Sequence, residues 1–168
     1  DRCRKTDSMN WEQLQDVFYN CLDFCEVYHR LPYFYITGGD PLLHPDFFFF
    51  FSLLKGYGIP FAVLGNPFHL TDEVCRLLKE RGCKKYQLSL DGMRKTHDWF
   101  RKLGSFDCTL EKIGCLKEVG LRSVIMTMVS SKNINEVPDI IDTVATAGVN
   151  VYSFARYCPT SREKDVGI

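Results

Sequence analysis

Thr37-Gly38-Gly39-Asp40-Pro41 is the stretch of this sequence whose residue types and spacing best suit chemistry. It follows the apolar run Tyr33-Phe34-Tyr35-Ile36, which reads as a buried strand. Two glycines at a strand end carry no Cβ, so a ligand can come close to their backbone. Asp40 adds a carboxylate there, able to receive a cation or N–H donors. A strand-to-helix turn stiffened by Pro41 and Pro45, with Asp40 favoured by the helix dipole, accounts for the same residues. A glycine motif this short leaves both readings open. Ser89-Leu90-Asp91-Gly92 closes a later apolar run in a similar way, and Asp before Gly is ordinary turn chemistry.

The elements that would position these groups alternate. Ser8 is expected to cap a helix over 9–29, whose apolar face runs through Trp11, Leu14, Val17, Phe18, Cys21, Leu22, Cys25 and Tyr28. A strand over 33–37, a helix over 45–57 starting at Pro45, and a strand over 61–64 follow. Thr71 or Asp72 caps a helix reaching Arg81, and the next strand covers 86–90. One short helix is expected within 93–106. Asp107 then caps a helix to Val119, a strand covers 124–129, Asn135 caps a helix with Pro138 in its first turn, and the last strand covers 149–154.

Gly58, Gly82, Gly120 and Gly148 each end a helix just before a strand, the joint of a repeating β/α unit. Strands alternating with helices imply a parallel sheet with right-handed crossovers and helices outside. Ligands in such folds meet the carboxyl ends of the strands. Those ends carry 37–40, Gly65-Asn66, 89–92, Ser130 and Arg156.

The chain of 168 residues has 21 basic and 21 acidic side chains and a formal net charge of zero. No Lys/Arg block stands out, which disfavours a nucleic-acid partner. No apolar run is long enough to span a bilayer. Eight cysteines without a secretory signal read as reduced thiols or metal ligands in a cytoplasmic protein rather than as a disulfide framework. Cys21, Cys25, Cys75, Cys83, Cys108 and Cys115 read as packing and Cys158 as an unassigned thiol, so no metal ligand is assigned.

Residues 37–45, together with Leu88-Ser89-Leu90-Asp91-Gly92, His97-Asp98 and Arg101, resemble the Gly-Gly-Glu motif and fourth-strand signature of the radical S-adenosylmethionine (radical SAM) enzymes. They are most similar to the peptide- and protein-maturing branch that carries a cysteine-rich C-terminal (SPASM) extension. Asp40 stands where that family usually has Glu. The resemblance implies a partial (β/α)6 TIM-like barrel with five parallel strands, its first strand missing. It implies S-adenosyl-L-methionine and a [4Fe–4S] cluster as cofactors, a 5′-deoxyadenosyl radical, and a peptide or protein substrate, as in sulfatase maturation or thioether formation.

The C-x3-C-x2-C cluster triad of the family is absent. It and the first strand are expected upstream of Asp1, with 1–156 as the core and 157–168 leading to a further region. This length of chain is therefore expected to be inactive by itself.

By resemblance, the backbone of Gly38 and Gly39 and the carboxylate of Asp40 receive the cofactor ammonium. Arg101 pairs with its carboxylate through a planar fork, and Ser89 contacts ribose or carboxylate. Asp91 touches ligand or fixes its own turn, and His97-Asp98 shape the loop. Asn66, Ser130 and Arg156 are further candidates for the adenosine or substrate side. The alternatives are an aldolase-like barrel enzyme and a non-catalytic binding scaffold. Five consecutive phenylalanines, 47–51, point all round a helix, so an exposed patch or the open sheet edge could support a homo-oligomer.

Overall fold

The computed structural model describes residues 8–158. Its centre is one parallel sheet of β1 (Phe34–Ile36), β2 (Phe61–Leu64), β3 (Cys83–Ser89), β4 (Arg122–Val129) and β5 (Val151–Arg156), paired in that order. Each strand pairs with the next in sequence, so right-handed crossovers carry every helix to the same face. There is no reversal of strand order of the kind that gives a doubly wound sheet its crevice. This is the connectivity of a barrel segment.

Register fixes which side chains meet the helices. Ile36, Val63, Tyr86 and Ser123 are paired across four strands, as are Leu88, Ile125 and Tyr152 across three. The opposite face carries Tyr35, Ala62, Lys85 and Arg122, with Ser89, Met126 and Ser153 nearer the carboxyl end. β3 and β4 start earlier than their apolar cores suggest, at Cys83 and Arg122. The added segments mix exposed Lys84 and Arg122 with buried Cys83 and Ser123, which breaks the apolar run in the sequence. β5 runs to Arg156, so that residue ends the strand rather than lying past it.

Helix α1 (Trp11–Val27) is capped by Asn10, not Ser8: Asn10 and Gln13 form a reciprocal capping box. The expected apolar face is only partly used. Phe18 is its one buried residue, against Phe34, Phe50 and Tyr57. Val17 and Tyr28 are exposed, and Cys21 and Cys25 are half-buried rather than buried. α1 covers the β1 end of the sheet, where there is less surface to pack against. The helix closes with His29 in the left-handed region (φ 51°) and Arg30 N–H on the Cys25 carbonyl, a turn normally built with glycine.

Pro45 does not open the next helix. Asp40 caps a 3₁₀ turn, Pro41–Leu43, and α2 (Phe47–Gly56) begins after Asp46. In α2, Phe47, Phe50, Phe51 and Leu54 are buried, the i, i+3, i+4, i+7 set of a core-facing helix. Phe49 alone of the five phenylalanines is exposed, with the Trp11 ring 6.4 Å away. The run is therefore a packing device with one outward ring, not a broad patch.

α3 (Asp72–Glu80) is capped by Thr71. The short helix within 93–106 is α4 (Arg94–Phe100). α5 (Ser105–Glu118) starts at Gly104, with Asp107 in its first turn rather than as its cap. Asn135 lies inside a 3₁₀ turn, Ile134–Glu136, which leads into α6 (Val137–Ala147). The four joint glycines all adopt positive φ, as the repeated joint requires. Among the described residues no helix is long and apolar enough to cross a membrane. The region expected after 156 lies outside the described residues from 159 onward, as does the start before Ser8.

Candidate functional site

Residues 37–39 leave β1 on the surface, and nothing lies within 4 Å of where a Cβ on Gly38 would stand. The backbone there is open to a ligand. Asp40 behaves differently. Its side chain is 3% exposed, and its Oδ2 lies 2.6 Å from Nδ1 of His69, in the loop after β2. Oδ1 accepts the Leu42 N–H, which caps the 3₁₀ turn. The carboxylate expected to reach a ligand is thus turned inward onto His69.

Gly65 shows why this corner closes. A Cβ on Gly65 would sit 2.2 Å from the Tyr86 hydroxyl oxygen and 3.3 Å from Asp40 Oδ1. Only glycine lets β2, the Tyr86 ring and the Asp40 turn come this close. The Tyr86 hydroxyl donates to the Asn66 carbonyl at 3.4 Å. Burial, then the nearby Asp40 charge, pushes the Tyr86 hydroxyl well above the usual phenol range. The Asn66 side chain accepts the Phe68 N–H and so shapes its own loop.

A second corner forms where β3 and β4 end. Asp91, 5% exposed at its side chain, takes the Met128 N–H on Oδ1 at 2.8 Å. Its Oδ2 receives both Nε and Nη2 of Arg101 at 2.6 Å. The Asp91 N–H donates to His97 Nδ1 at 2.9 Å, so the neutral ring carries its proton on Nε2, which faces the Ser105 hydroxyl at 3.1 Å. Burial holds the imidazole below the ordinary histidine value. The Asp98 carboxylate accepts the N–H groups of Phe106 and Gly104, which hold it below the usual range. His97 and Asp98 shape the loop, as the sequence suggested.

Asn133 completes this corner, and sequence reasoning missed it. It is fully buried, and its Nδ2 donates at 2.8 Å to the carbonyls of both Asp91 and Met128. Its Oδ1 accepts the Ser130 N–H at 2.7 Å. Ser130 is therefore tied into a turn. Glu136 was missed as well: its carboxylate accepts the Met93 N–H and the Thr96 hydroxyl, fixing the start of α4 beside Gly92. The signal for both is long-range: the loop after β4 folds back on the loop after β3.

The strand ends thus bring the expected residues to one edge in two groups. Gly38, Gly39, Asp40 and Asn66 gather at β1–β2. Asp91, Arg101 and Ser130 gather at β3–β4, where Ser89 ends β3 opposite Met126. Arg156 is exposed at the end of β5, opposite Val129. Arg101, expected to bind a ligand carboxylate, gives Nε and Nη2 to Asp91 and is 46% exposed at its side chain. It offers a ligand what remains of its fork. Among the described residues no three His, Cys, Asp or Glu side chains gather as a metal site. Burial pushes the thiols of Cys75 up to about 11 and Cys83 up to about 12, the values of inert packing groups. Cys108 and Cys115 are half-buried, and Cys158 is exposed.

Comparison with known proteins agrees with this architecture. The AdoMet-dependent heme synthase of Methanosarcina barkeri is 30% identical over 133 residues, covering 78% of this chain and 38% of that protein. The sporulation killing factor maturation protein SkfB of Bacillus subtilis is 28% identical over 118 residues, 70% of this chain and 29% of its own. The chain thus spans about a third of the length of the curated relatives it matches. The crystal structure of Streptococcus suis SuiB bound to S-adenosylmethionine superposes with a TM-score of 0.73 at 16% identity, covering 94% of this chain and 36% of that one. That likeness shows the fold: five strands of a TIM-barrel-like α/β domain. The family model of the radical SAM superfamily matches residues 9–144, and the chain belongs to that superfamily.

Proposed function

We propose that the protein containing this chain is a radical SAM enzyme that uses S-adenosyl-L-methionine and a [4Fe–4S] cluster to modify a peptide or protein side chain. The observation that carries the radical SAM reading is the joint placement of the open 37–39 backbone and the Asp91–Arg101 corner at the carboxyl ends of one parallel sheet. The donor set fits the cofactor. Exposed backbone carbonyls at 37–39 suit an ammonium group, and the free part of the Arg101 fork suits a carboxylate. When bound with the cluster, the cofactor supplies a carbon-centred radical able to abstract a hydrogen atom. The residues of this chain orient it: Asp91, His97 and Asn133 hold the β3–β4 loops in one arrangement, and Gly65 lets the β1–β2 corner close. Ser89, Asn66, Ser130 and Arg156 are the nearest groups for its ribose, its adenine or the substrate.

The cluster ligands are absent from this sequence as a C-x3-C-x2-C triad and belong to the part of the protein that precedes it. Residues 1–156 form the core in this reading, and 157–168 lead to a region that contacts substrate. A further strand, from the same protein or a second copy, pairs with the outer edge of β1. The cytoplasm, with its reduced thiols, is its compartment.

The maturation-protein relative supports a peptide substrate. The heme-synthase relative supports a second reading, in which the substrate is a tetrapyrrole. The test is 5′-deoxyadenosine release by the full-length protein, reconstituted anaerobically and supplied with a reductant and either a precursor peptide or an iron porphyrin. A peptide whose mass changes as release rises supports the first reading, and porphyrin-dependent release the second. Failure to cleave the cofactor at all overturns both.

A further inference from the structure

The inference rests on the reading above, in which the amino-acid end of S-adenosyl-L-methionine lies over residues 37–40. Its ammonium group needs hydrogen-bond acceptors. Asp40 is the obvious one by sequence, yet its side chain is 3% exposed and both of its oxygens are engaged. Oδ1 caps the 3₁₀ turn, and Oδ2 is 2.6 Å from His69 Nδ1.

That contact fixes the histidine. An ionised carboxylate has no proton to give, so Nδ1 carries the proton and donates. In the neutral ring Nε2 is then the unprotonated nitrogen, an acceptor. No protein partner meets Nε2 among the described residues, and the His69 side chain is 46% exposed, far more than the aspartate that holds it. The opposite side of the carboxylate is closed by Gly65 and the Tyr86 hydroxyl, where even one methyl group would collide. The charge of Asp40 is therefore directed outward through the imidazole.

We propose that His69, and not the Asp40 carboxylate, meets the ammonium group of the cofactor: Nε2 accepts one of its hydrogens while Asp40 holds the ring. The carbonyls of 37–39 take the remaining hydrogens. Asp40 is the positioning residue, and the imidazole extends its reach by one ring.

A purely structural role is the rival explanation, since the same contact ties the loop after β1 to the loop after β2. Asparagine at 69 separates the two roles, because its amide can still donate to Asp40 but has no atom in place of Nε2. The experiment uses the full-length protein with its cluster, and measures the Kd of S-adenosyl-L-methionine, the Kd of 5′-methylthioadenosine, which lacks the amino-acid end, and the thermal midpoint. For His69→Asn the expected result is an unchanged midpoint, unchanged 5′-methylthioadenosine binding and about tenfold weaker S-adenosyl-L-methionine binding, the loss of one hydrogen bond to a charged group. His69→Gln, which can place an oxygen near the Nε2 position, recovers part of that loss. Full S-adenosyl-L-methionine affinity in His69→Asn overturns the proposal, as does an equal loss for both ligands. A wild-type protein that does not bind S-adenosyl-L-methionine overturns the underlying functional reading and the His69 assignment with it, and that result is read before any variant is compared.

Discussion

Arg101 grips Asp91 with two nitrogens at the strand ends: Nε and Nη2 both lie 2.6 Å from a single oxygen, Oδ2. The other oxygen, Oδ1, takes the Met128 N–H from the neighbouring strand. Asp91 therefore joins α4's end to β4 while its own backbone is held by His97 and Asn133. The arginine is aimed by Asp91, which the buried side chains of His97 and Asn133 hold in turn.

Asn133 is the part of this corner with no substitute. Truncating it to alanine leaves the Asp91 and Met128 carbonyls and the Ser130 N–H without their partner. Each buried, unmet group costs about 1–3 kcal/mol, less where water can enter. Asn133→Ala is expected to lower unfolding free energy by about 3 kcal/mol, read from urea denaturation. Asp91→Asn, which can still accept from Met128, is expected to cost about 1–2 kcal/mol through the lost charge on Arg101. A smaller effect for Asn133→Ala than for Asp91→Asn would contradict this ranking.

His97 sets a pH dependence whose sign follows from its tautomer. Nδ1 accepts the Asp91 N–H, so protonating the ring removes an acceptor as well as burying a charge. Burial, partly opposed by the Asp91 charge, lowers its proton affinity below the ordinary value of 6.5. Between the lowered folded value and 6.5 the unfolded chain binds more protons than the folded one. The contribution is fully present above pH 6.5 and is lost as pH falls through the folded value. Asp98 acts in the same direction but only below its ordinary 3.8. Chemical denaturation from pH 5 to 8 should show stability rising with pH, and His97→Asn should flatten that rise. A wild-type curve that is level, or that falls, across this interval is the contrary outcome.

Gly65→Ala forces a methyl group to within 2.2 Å of the Tyr86 hydroxyl oxygen. Overpacking of this kind costs about 1–3 kcal/mol. Tyr86→Phe removes the nearest atom, though the ring carbon that bore it stays 3.0 Å from the new methyl group. The double variant should therefore be more stable than the sum of the two single effects implies, by a margin that calorimetry can measure. Simple additivity would show that the collision is relieved elsewhere.

The sequence reading reached far on the repeated joints and less far on the caps. Gly58, Gly82, Gly120 and Gly148 announce the β/α repeat because a left-handed residue ending a helix is a local demand that glycine alone meets cheaply. The Phe47–Phe51 run shows the limit. Its helical period was legible, but which ring stayed outside depended on the sheet beneath it. His29 takes a left-handed turn that glycine usually marks, so no signal for the end of α1 was present. In the site, Gly38, Asp40, Asp91 and Arg101 were legible as types at strand ends. That Asp40 would turn to His69 was not, because the two belong to loops of different strands, and that Arg101 would turn back to Asp91 was not, because it depends on how α4 folds onto the end of β3. Asn133 and Glu136 escaped for the same reason.

The strictly sequential strand order grades the sheet in rigidity. β1 is three residues long and paired on one side only among the described strands, whereas β3 and β4 are long and paired on both. Amide hydrogens of β1 should exchange through frequent local opening, and those of β3 and β4 only when the whole sheet comes apart. The Asp40–His69 corner stands on the loose margin and the Asp91–Arg101 corner on the firm seam. A ligand spanning both would dock on the seam and order the margin as it binds, so part of its intrinsic affinity would be spent on quieting β1.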